Sequence, residues 1–182
     1  MNKVITIDGP SASGKGTLAI LLAERLSWKI LDSGALYRAF AYFSISENDQ
    51  RLMEQNLRKI SFNIVDNSIQ ILFENEDISM HLRTEETAIQ ASKISSLPST
   101  REILLPIQRF FSKTSNLIAD GRDMGSVVFP NANLKFFLDA APEVRAKRRY
   151  LELQKRGQEV NIHDLINDIV ERDKKDRTRE LS

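Results

Sequence analysis

The residues of this sequence most suited to chemistry form one short segment near its start: Gly9, Pro10, Ser11, Ala12, Ser13, Gly14, Lys15, Gly16 and Thr17. The glycines allow backbone N–H groups to turn toward a phosphate, and Lys15 adds a mobile positive charge. An apolar run at 4–7 precedes the segment, and leucines at helical spacing follow it. A strand, a glycine-rich turn and the positive N-terminus of a helix predict nucleotide binding, with a flexible glycine turn as the alternative.

The end of this loop indicates the class of nucleotide-binding protein. The usual pattern places serine or threonine directly after the lysine, where its hydroxyl binds Mg²⁺. Here Gly16 follows Lys15, and the hydroxyl lies one residue later on Thr17. The Gly-Lys-Gly-Thr ending resembles nucleoside monophosphate kinases rather than GTPases, and the sequence has no Asn-Lys-x-Asp guanine motif.

The composition indicates a globular protein and requires neither a nucleic-acid nor a membrane partner. The 182 residues carry 26 Lys and Arg against 25 Asp and Glu, a formal net charge of +1. This balance gives no support for a nucleic-acid or membrane partner. The absence of cysteine fits a reducing compartment, and the sequence begins with a predicted strand rather than a signal peptide. We therefore expect a cytoplasmic monomer.

Four apolar runs alternate with helical patterns and predict the strands of a parallel sheet. They lie at 4–7, 28–31, 116–120 and 134–138. The alternation is typical of an α/β fold in which helices cover both faces of the sheet, a three-layer arrangement. Polar residues follow three of these runs, in the glycine-rich loop, at Asp32-Ser33 and at 120–123. Because ligands bind at the carboxyl ends of parallel strands, we expect these groups to meet in one cleft.

Residues 48–100 interrupt this alternation. Two segments, 61–65 and 68–74, alternate apolar and polar residues on either side of Asp66-Asn67, a pair that favours a tight turn. The pattern predicts an antiparallel hairpin, to which 77–79 could add a third strand. We therefore divide the chain into a core of residues 1–47 and 101–182 and a small antiparallel β insertion of residues 48–100.

Two helices are predicted near the end of the sequence. Pro142 begins the first, which runs to about residue 156, and Asn161 caps the second. The basic residues of this helix, Arg145, Lys147, Arg148 and Arg149, predict a charged helix face, which we favour over a nucleic-acid surface. A basic helix next to a lid would also serve the phosphates.

The apolar stripe of the second helix changes character near its end, where Arg172, Asp176 and Arg179 continue the same face. One interpretation is a solvated helix end with an Arg172–Asp176 ion pair. The other is a basic face directed into the cleft, which we favour because these residues continue the inward stripe.

Four motifs resemble those of the bacterial cytidylate kinases, and the resemblance extends over nearly the whole sequence. They are the loop at 9–17, Leu-Asp-Ser-Gly-Ala-Leu-Tyr-Arg at 31–38, Asp-Gly-Arg-Asp-Met-Gly at 120–125 and Glu-Arg-Asp-Lys-Lys-Asp-Arg at 171–177. The second and third are specific to this family among phosphate-loop kinases. The resemblance implies a P-loop kinase fold with a nucleoside-monophosphate-binding insertion at 48–100 and a helical lid at about 156–179.

The family continues past its lid helix with a fifth strand and a final helix. This sequence stops at Leu181-Ser182, before either of them. We therefore expect a sheet of four parallel strands, without the fifth.

The resemblance also implies an activity, the transfer of the γ-phosphoryl group of ATP to CMP or dCMP with Mg²⁺ bound alongside ATP. The attacking phosphate oxygen is already ionised, so the main difficulty is the repulsion between two polyanions. Arginine suits this task because its planar fork binds phosphate at two points. Two further functions stay open, namely nucleotide binding without transfer and phosphorylation of another small acceptor.

On the donor side, the resemblance implies that Lys15 and the loop amides hold the β- and γ-phosphates of ATP. The implied catalytic residues are Lys15, Arg122 and Arg172. The implied Mg²⁺ site consists of Thr17 and of Asp120, which acts through water.

On the acceptor side, the resemblance implies one group of residues for the CMP phosphate, one for cytosine and one near the base and pentose. The CMP phosphate is assigned to Arg38, Arg122 and Arg172. Cytosine is assigned to Ser92, Arg101 and Asp123. The base and the pentose are expected near Ser33 and Asp176. Arg179 resembles an arginine of the lid.

Overall fold

The computed structural model describes residues 2–45, 49–155 and 157–177, without the side chains of residues 175–177. Its strands are β1 (Val4–Asp8), β2 (Lys29–Asp32), β3 (Ile60–Val65), β4 (Ser68–Phe73), β5 (Glu76–Asp77), β6 (Leu117–Gly121) and β7 (Leu134–Phe137). A parallel four-stranded sheet has the order β2-β6-β1-β7, and β3, β4 and β5 form a separate antiparallel sheet. The predicted α/β class is confirmed, and the described residues contain the four predicted parallel strands.

The helices connect these strands and form most of the insertion. They are α1 (Lys15–Leu26), α2 (Ser33–Phe43), α3 (Gln50–Arg58), α4 (Ser79–Leu82), α5 (Glu85–Ile94), α6 (Pro98–Thr114), α7 (Pro142–Lys155) and α8 (Ile162–Arg177). A π-helical turn, Met124–Val128, follows β6. Among the described residues, none of the helices combines the length and apolar character needed to cross a membrane.

The register of the parallel sheet brings three acidic residues to one edge. β1 and β6 are buried along their whole length, as expected for parallel strands covered on both faces. Asp8 lies opposite Gly121 and Asp32 lies opposite Asp120, so the three carboxyl groups belong to the carboxyl ends of neighbouring strands. The phosphate loop follows β1 at the same edge, where the sequence predicts the cleft.

One hydrophobic core joins the sheet to the insertion. Fully buried side chains of the parallel sheet and its helices include Ile7, Leu31, Leu36, Leu117 and Ile118. The same cluster continues into the insertion through Leu57, Phe62 and Ile71. The insertion is therefore packed on the sheet rather than suspended beside it.

The insertion contains the predicted hairpin. β3 and β4 pair from Ile60 opposite Phe73 to Val65 opposite Ser68, and β5 adds a short third strand. Asp66 and Asn67 have φ values of 49° and 56°, the left-handed conformation that a two-residue turn of this type requires. The predicted tight turn is thereby confirmed.

Candidate nucleotide-binding site

The phosphate loop connects β1 to α1 and has a backbone that few residues tolerate. Gly9 has φ of 148°, and a Cβ at this position would lie 2.0 Å from the carbonyl oxygen of Leu138. Ala12 and Gly14 also have positive φ values, 60° and 100°. No side chain of the described residues caps α1 through a hydrogen bond, so its first-turn N–H groups face the loop as an anion-binding end.

Lys15 lies at the centre of this loop and faces Asp120 at the end of β6. Its Nζ donates to the carbonyl of Pro10 at 3.2 Å and lies 4.0 Å from Asp120 Oδ1. Burial lowers the pKa of Lys15, with Arg122 and Arg172 also lowering it and Asp120 and Asp32 opposing the change. The ammonium therefore lies in a site from which water is largely excluded.

Asp120 is the most perturbed carboxyl group of the cleft. Its pKa is raised to about 7, chiefly by burial and in part by the nearby Asp32 and Asp8, whereas Lys15 opposes the rise. Its Oδ1 is buried and has no hydrogen-bond partner among the described residues. A buried carboxylate oxygen without a donor is costly, which indicates that a ligand or ion completes this site.

The chemistry of Asp120 fits Mg²⁺. Carboxylate oxygens are ligands that Mg²⁺ prefers, and this ion is commonly held by one or two carboxylates together with substrate phosphates. A Cβ at Gly16 would lie 3.4 Å from Asp120 Oδ2, so the carboxyl group is adjacent to the start of α1. Thr17 lies one residue further and is exposed. No group of three metal-ligating side chains occurs in the described ranges, so a protein-only cage is not formed there.

The segment that follows β6 is held against the phosphate loop by Asp8. The carboxyl group of Asp8 accepts hydrogen bonds from the backbone N–H groups of Met124 and Gly125, both at 2.8 Å. Burial raises the pKa of Asp8, although these two donors partly oppose the rise. A side chain at Gly125 would meet Thr6 Oγ1 at 2.7 Å, so the segment lies directly on β1.

Arg122 and Asp123 belong to this segment and contact two different elements. Arg122 Nη2 donates to Ser11 Oγ of the phosphate loop at 3.0 Å. Asp123 forms an ion pair with Arg101 of α6, and both side chains are largely buried. The structure therefore brings Arg122 together with the phosphate loop and Arg101 together with Asp123.

The remaining acceptor-side residues lie on α2 and α5. Ser33 is buried at the start of α2, where Gln108 Nε2 of α6 donates to its hydroxyl at 2.9 Å. Arg38 is half-buried and donates to the carbonyl of Leu82 in the insertion at 3.2 Å. Ser92 is half-buried on α5, a helix that packs against α2.

The C-terminal helix α8 is tied to the phosphate loop by a buried arginine of α7. Arg145 is 1% exposed and forms an ion pair with Asp173 of α8, in which Nη1 donates to Oδ1 at 3.0 Å. Its Nε donates to the carbonyl of Ala140 at 2.8 Å, and Nη1 also lies 3.4 Å from the carbonyl oxygen of Ser11. Arg145 is therefore a buried partner of Asp173 and does not contribute to the charged helix face predicted for these basic residues.

The predicted lid residues are described only in part. Arg172 lies on α8 with an exposed side chain, and its charge is one of those that lower the pKa of Lys15. Asp176 belongs to α8, but its side chain lies outside the described residues. The whole of Arg179 lies outside them. A second α7 arginine, Arg148, donates to the carbonyl of Ser13 in the phosphate loop at 2.8 Å.

Three residues that shape the site lack a motif in the sequence, namely Asp8, Gln108 and Arg145. Asp8 lies at the end of a strand, as Asp32 and Asp120 do, so the pattern of acidic residues after the apolar runs could have identified it. Gln108 occupies a position of the apolar stripe formed by Leu104, Ile107 and Phe111, so a polar residue interrupts the core face of α6. Arg145 has no comparable signal, because its partners come from distant parts of the chain.

Comparisons with known proteins identify a family and several relatives of this chain. A family model described as cytidylate kinase matches residues 5–182. The cytidylate kinase of Photobacterium profundum is 48% identical over 185 residues, which cover 98% of this chain and 81% of that protein. The cytidylate kinase of Aeromonas salmonicida is 47% identical over 188 residues, 100% of this chain and 82% of that protein. The cytidylate kinase of Salmonella choleraesuis is 46% identical over 185 residues, 98% of this chain and 82% of that protein.

Proposed function

The chain belongs to the cytidylate kinase family, and we propose that it transfers the γ-phosphoryl group of ATP to CMP or dCMP, giving ADP and CDP or dCDP. One observation carries the proposal: two consecutive residues connect the donor and acceptor sides of the cleft. Arg122 donates to Ser11 in the phosphate loop, and Asp123 pairs with Arg101 on α6. A donor and an acceptor bound to these groups would lie next to each other.

On the donor side, the loop amides and Lys15 bind the β- and γ-phosphates of ATP. The positive φ values of the loop support this role because they turn successive N–H groups toward one point. Mg²⁺ bound with ATP supplies neutralisation of the charge on the phosphate oxygens. Asp120, through water, and Thr17 would hold that ion, and the buried Oδ1 of Asp120 supports the assignment.

On the acceptor side, arginines bring the phosphate of CMP up to that of ATP. Two unit charges 4 Å apart repel by ~4 kcal/mol at an effective dielectric constant of 20, and each phosphate carries more than one charge. Arg38, Arg122 and Arg172 offset this repulsion and stabilise the charge that spreads over the transferring group. No general base is required, because the attacking oxygen is already ionised.

The Arg101–Asp123 pair reads cytosine. Cytosine presents a 4-amino donor beside the acceptors N3 and O2, so a selective site needs an acceptor next to a donor. The Asp123 carboxylate accepts from the amino group, and the Arg101 guanidinium donates to the ring. Ser92 and Ser33 add hydroxyl groups, and the insertion of residues 48–100 supplies the surface that covers this nucleotide.

The segment of about residues 156–179 acts as a lid over both nucleotides. Arg172 and Arg179 contact phosphate when it closes, and Asp176 contacts the pentose. Closure excludes water, which limits the hydrolysis of ATP. The contacts of Arg145 with Asp173 and Ser11 place α8 beside the phosphate loop, where a lid would have to act.

The proposal describes a cytoplasmic monomer whose partners are small nucleotides, without nucleic acid or membrane. The formal net charge of +1 gives no electrostatic reason to expect a nucleic-acid or membrane partner.

An ADP-release assay tests the proposal. Wild-type protein with ATP and Mg²⁺ is given CMP, dCMP, UMP, AMP, shikimate or no acceptor. We expect fast release with CMP and dCMP, slower release with UMP and almost none with AMP, shikimate or without an acceptor. Turnover that needs no acceptor, or that prefers AMP or shikimate, would overturn the proposal.

A further inference from the structure

We infer that Gln108 is a positioning residue for the acceptor nucleotide, whose side-chain amide orients the Ser33 hydroxyl so that its proton is directed to the bound nucleoside. The inference rests on the proposed function and deepens it. No motif assigns a role to Gln108, and its side-chain amide reaches the acceptor site through Ser33.

The contact between the two residues is fully enclosed. Gln108 is 2% exposed and Ser33 is 4% exposed, and Nε2 donates to Oγ at 2.9 Å. The two residues lie 75 positions apart in the sequence, on α6 and at the first turn of α2. Neither element needs this bond for its own helical structure.

The position of Gln108 is one that packing alone would give to an apolar residue. Its neighbours on the same face of α6, Leu104 and Ile107, are 0% and 1% exposed. Burying an amide without a partner costs roughly 1–3 kcal/mol, whereas leucine or methionine would fill the same space without this cost. We explain the glutamine at this position by the hydrogen bond that it donates to the Ser33 hydroxyl.

The direction of the hydrogen bond decides what Ser33 can do. A hydroxyl has one proton to donate and two lone pairs that accept. Because Gln108 donates to Oγ, the Ser33 proton stays available for an acceptor atom. Cytosine O2 and N3 and the pentose oxygens are such acceptors, so Ser33 is set as a donor toward the nucleoside.

The same face of α6 supports both sides of acceptor recognition. Arg101 and Gln108 are seven residues apart, close to two helical turns. Arg101 pairs with Asp123 after β6, and Gln108 binds Ser33 after β2. α6 therefore fixes two groups about 10 Å apart along its axis, a length on the scale of one nucleoside.

Three variants and a matched control test the inference. Gln108→Met keeps the length of the side chain but removes the donor. Ser33→Ala removes the hydroxyl without altering α6, and Ser33→Ala/Gln108→Met removes both. Gln55→Met changes an exposed glutamine of α3 and is the control. The KM values for CMP and ATP, kcat and the unfolding temperature are measured for each.

We expect Gln108→Met to raise the KM for CMP five- to tenfold, with the KM for ATP and kcat within twofold of wild type. Ser33→Ala should give a similar rise, and the double variant should be no worse than Ser33→Ala. Gln55→Met should match wild type. If Gln108→Met does not fold, the role of Gln108 is tested by Gln108→Glu.

Gln108→Glu provides an independent variant. A carboxylate accepts the Ser33 proton instead of donating to its oxygen, so the KM for CMP should rise at least as much as in Gln108→Met.

Equal changes in both KM values, or additive effects in the double variant, would overturn the role of Gln108 while leaving the proposed function in place. Failure of wild-type protein to use CMP or dCMP would overturn the proposed function itself.

Discussion

The phosphate loop and the acceptor side of the cleft differ in how far along the chain their parts come from. The loop is one run of residues between β1 and α1, and its shape depends on backbone conformations such as φ of 148° at Gly9. The acceptor side combines side chains of α2, α5, α6 and the segment after β6. The first site is therefore local, whereas the second exists only once the elements have packed.

The two sides also differ in how their charges are balanced without nucleotide. Arg101 and Asp123 form a direct ion pair. Lys15 and Asp120 are 4.0 Å apart, burial raises the pKa of Asp120, and its Oδ1 lacks a hydrogen bond among the described residues. The donor side is thus prepared for charges that the ligand brings, whereas the charges of Arg101 and Asp123 on the acceptor side already balance each other.

The largest expected effect is on the donor side, in Lys15→Ala. Lys15 is the one side-chain cation within the loop sequence, so its loss should lower kcat at least a hundredfold, or ~3 kcal/mol of transition-state stabilisation. The fold should be retained, as checked by circular dichroism. Lys29→Ala, which removes an exposed lysine of β2, is the matched control. Near-normal turnover in Lys15→Ala would contradict the phosphate-loop assignment.

Arg172→Ala tests whether Arg172 of the lid contributes to ATP binding or to the phosphoryl-transfer step. If its contact forms as charge develops during transfer, kcat should fall about thirtyfold, roughly 2 kcal/mol, with a smaller change in ATP affinity. Arg149→Ala, in an exposed α7 arginine paired with Glu152, should have no such effect. Loss of ATP affinity with kcat unchanged would show that α8 is a fixed wall of the donor site.

A smaller effect is expected on stability, because the donor side contains a carboxyl group with a raised pKa, that of Asp120. Asp120 binds its proton more tightly in the folded protein than when unfolded, so the free energy of unfolding should fall as pH rises through about 7. Between pH 6 and 8 this amounts to about 1.4 kcal/mol.

Asp120→Asn has no carboxyl group at this position and should lose that part of the pH dependence. Urea unfolding without nucleotide or Mg²⁺ measures it, with Asp168→Asn on the exposed face of α8 as the control. The same pH dependence in wild type and Asp120→Asn would show that Asp120 is ionised normally.

The comparison also explains which parts could be predicted from the sequence. The strands, the loop and the Asp66-Asn67 turn depend on nearby residues, and all three were predicted close to their observed bounds. Helices α3 to α6 were not assigned. The four residues of α4 are too few to show a helical period. The 17 residues of α6 do show one, through Leu104, Ile107 and Phe111, so this helix could have been predicted.

The side-chain contacts that complete the site could not be predicted from the sequence, because each joins elements that lie far apart along the chain. Arg145 belongs to a run of basic residues that is typical of a solvated face, yet the carboxylate of Asp173 and two backbone carbonyls enclose it. Burial of that kind depends on how α7, α8 and the loop meet. Gln108 differs, since a polar residue on the apolar stripe of α6 is a signal that the sequence already contains.

The separation of donor and acceptor recognition is tested most directly by the KM values of Asp123→Ala. An unpaired buried polar group costs roughly 1–3 kcal/mol, so the KM for CMP should rise at least tenfold and the preference for CMP over UMP should weaken. The KM for ATP should stay within twofold of wild type. An equal rise in both KM values, with the preference over UMP retained, would show that Asp123 supports the whole cleft and would contradict the separation.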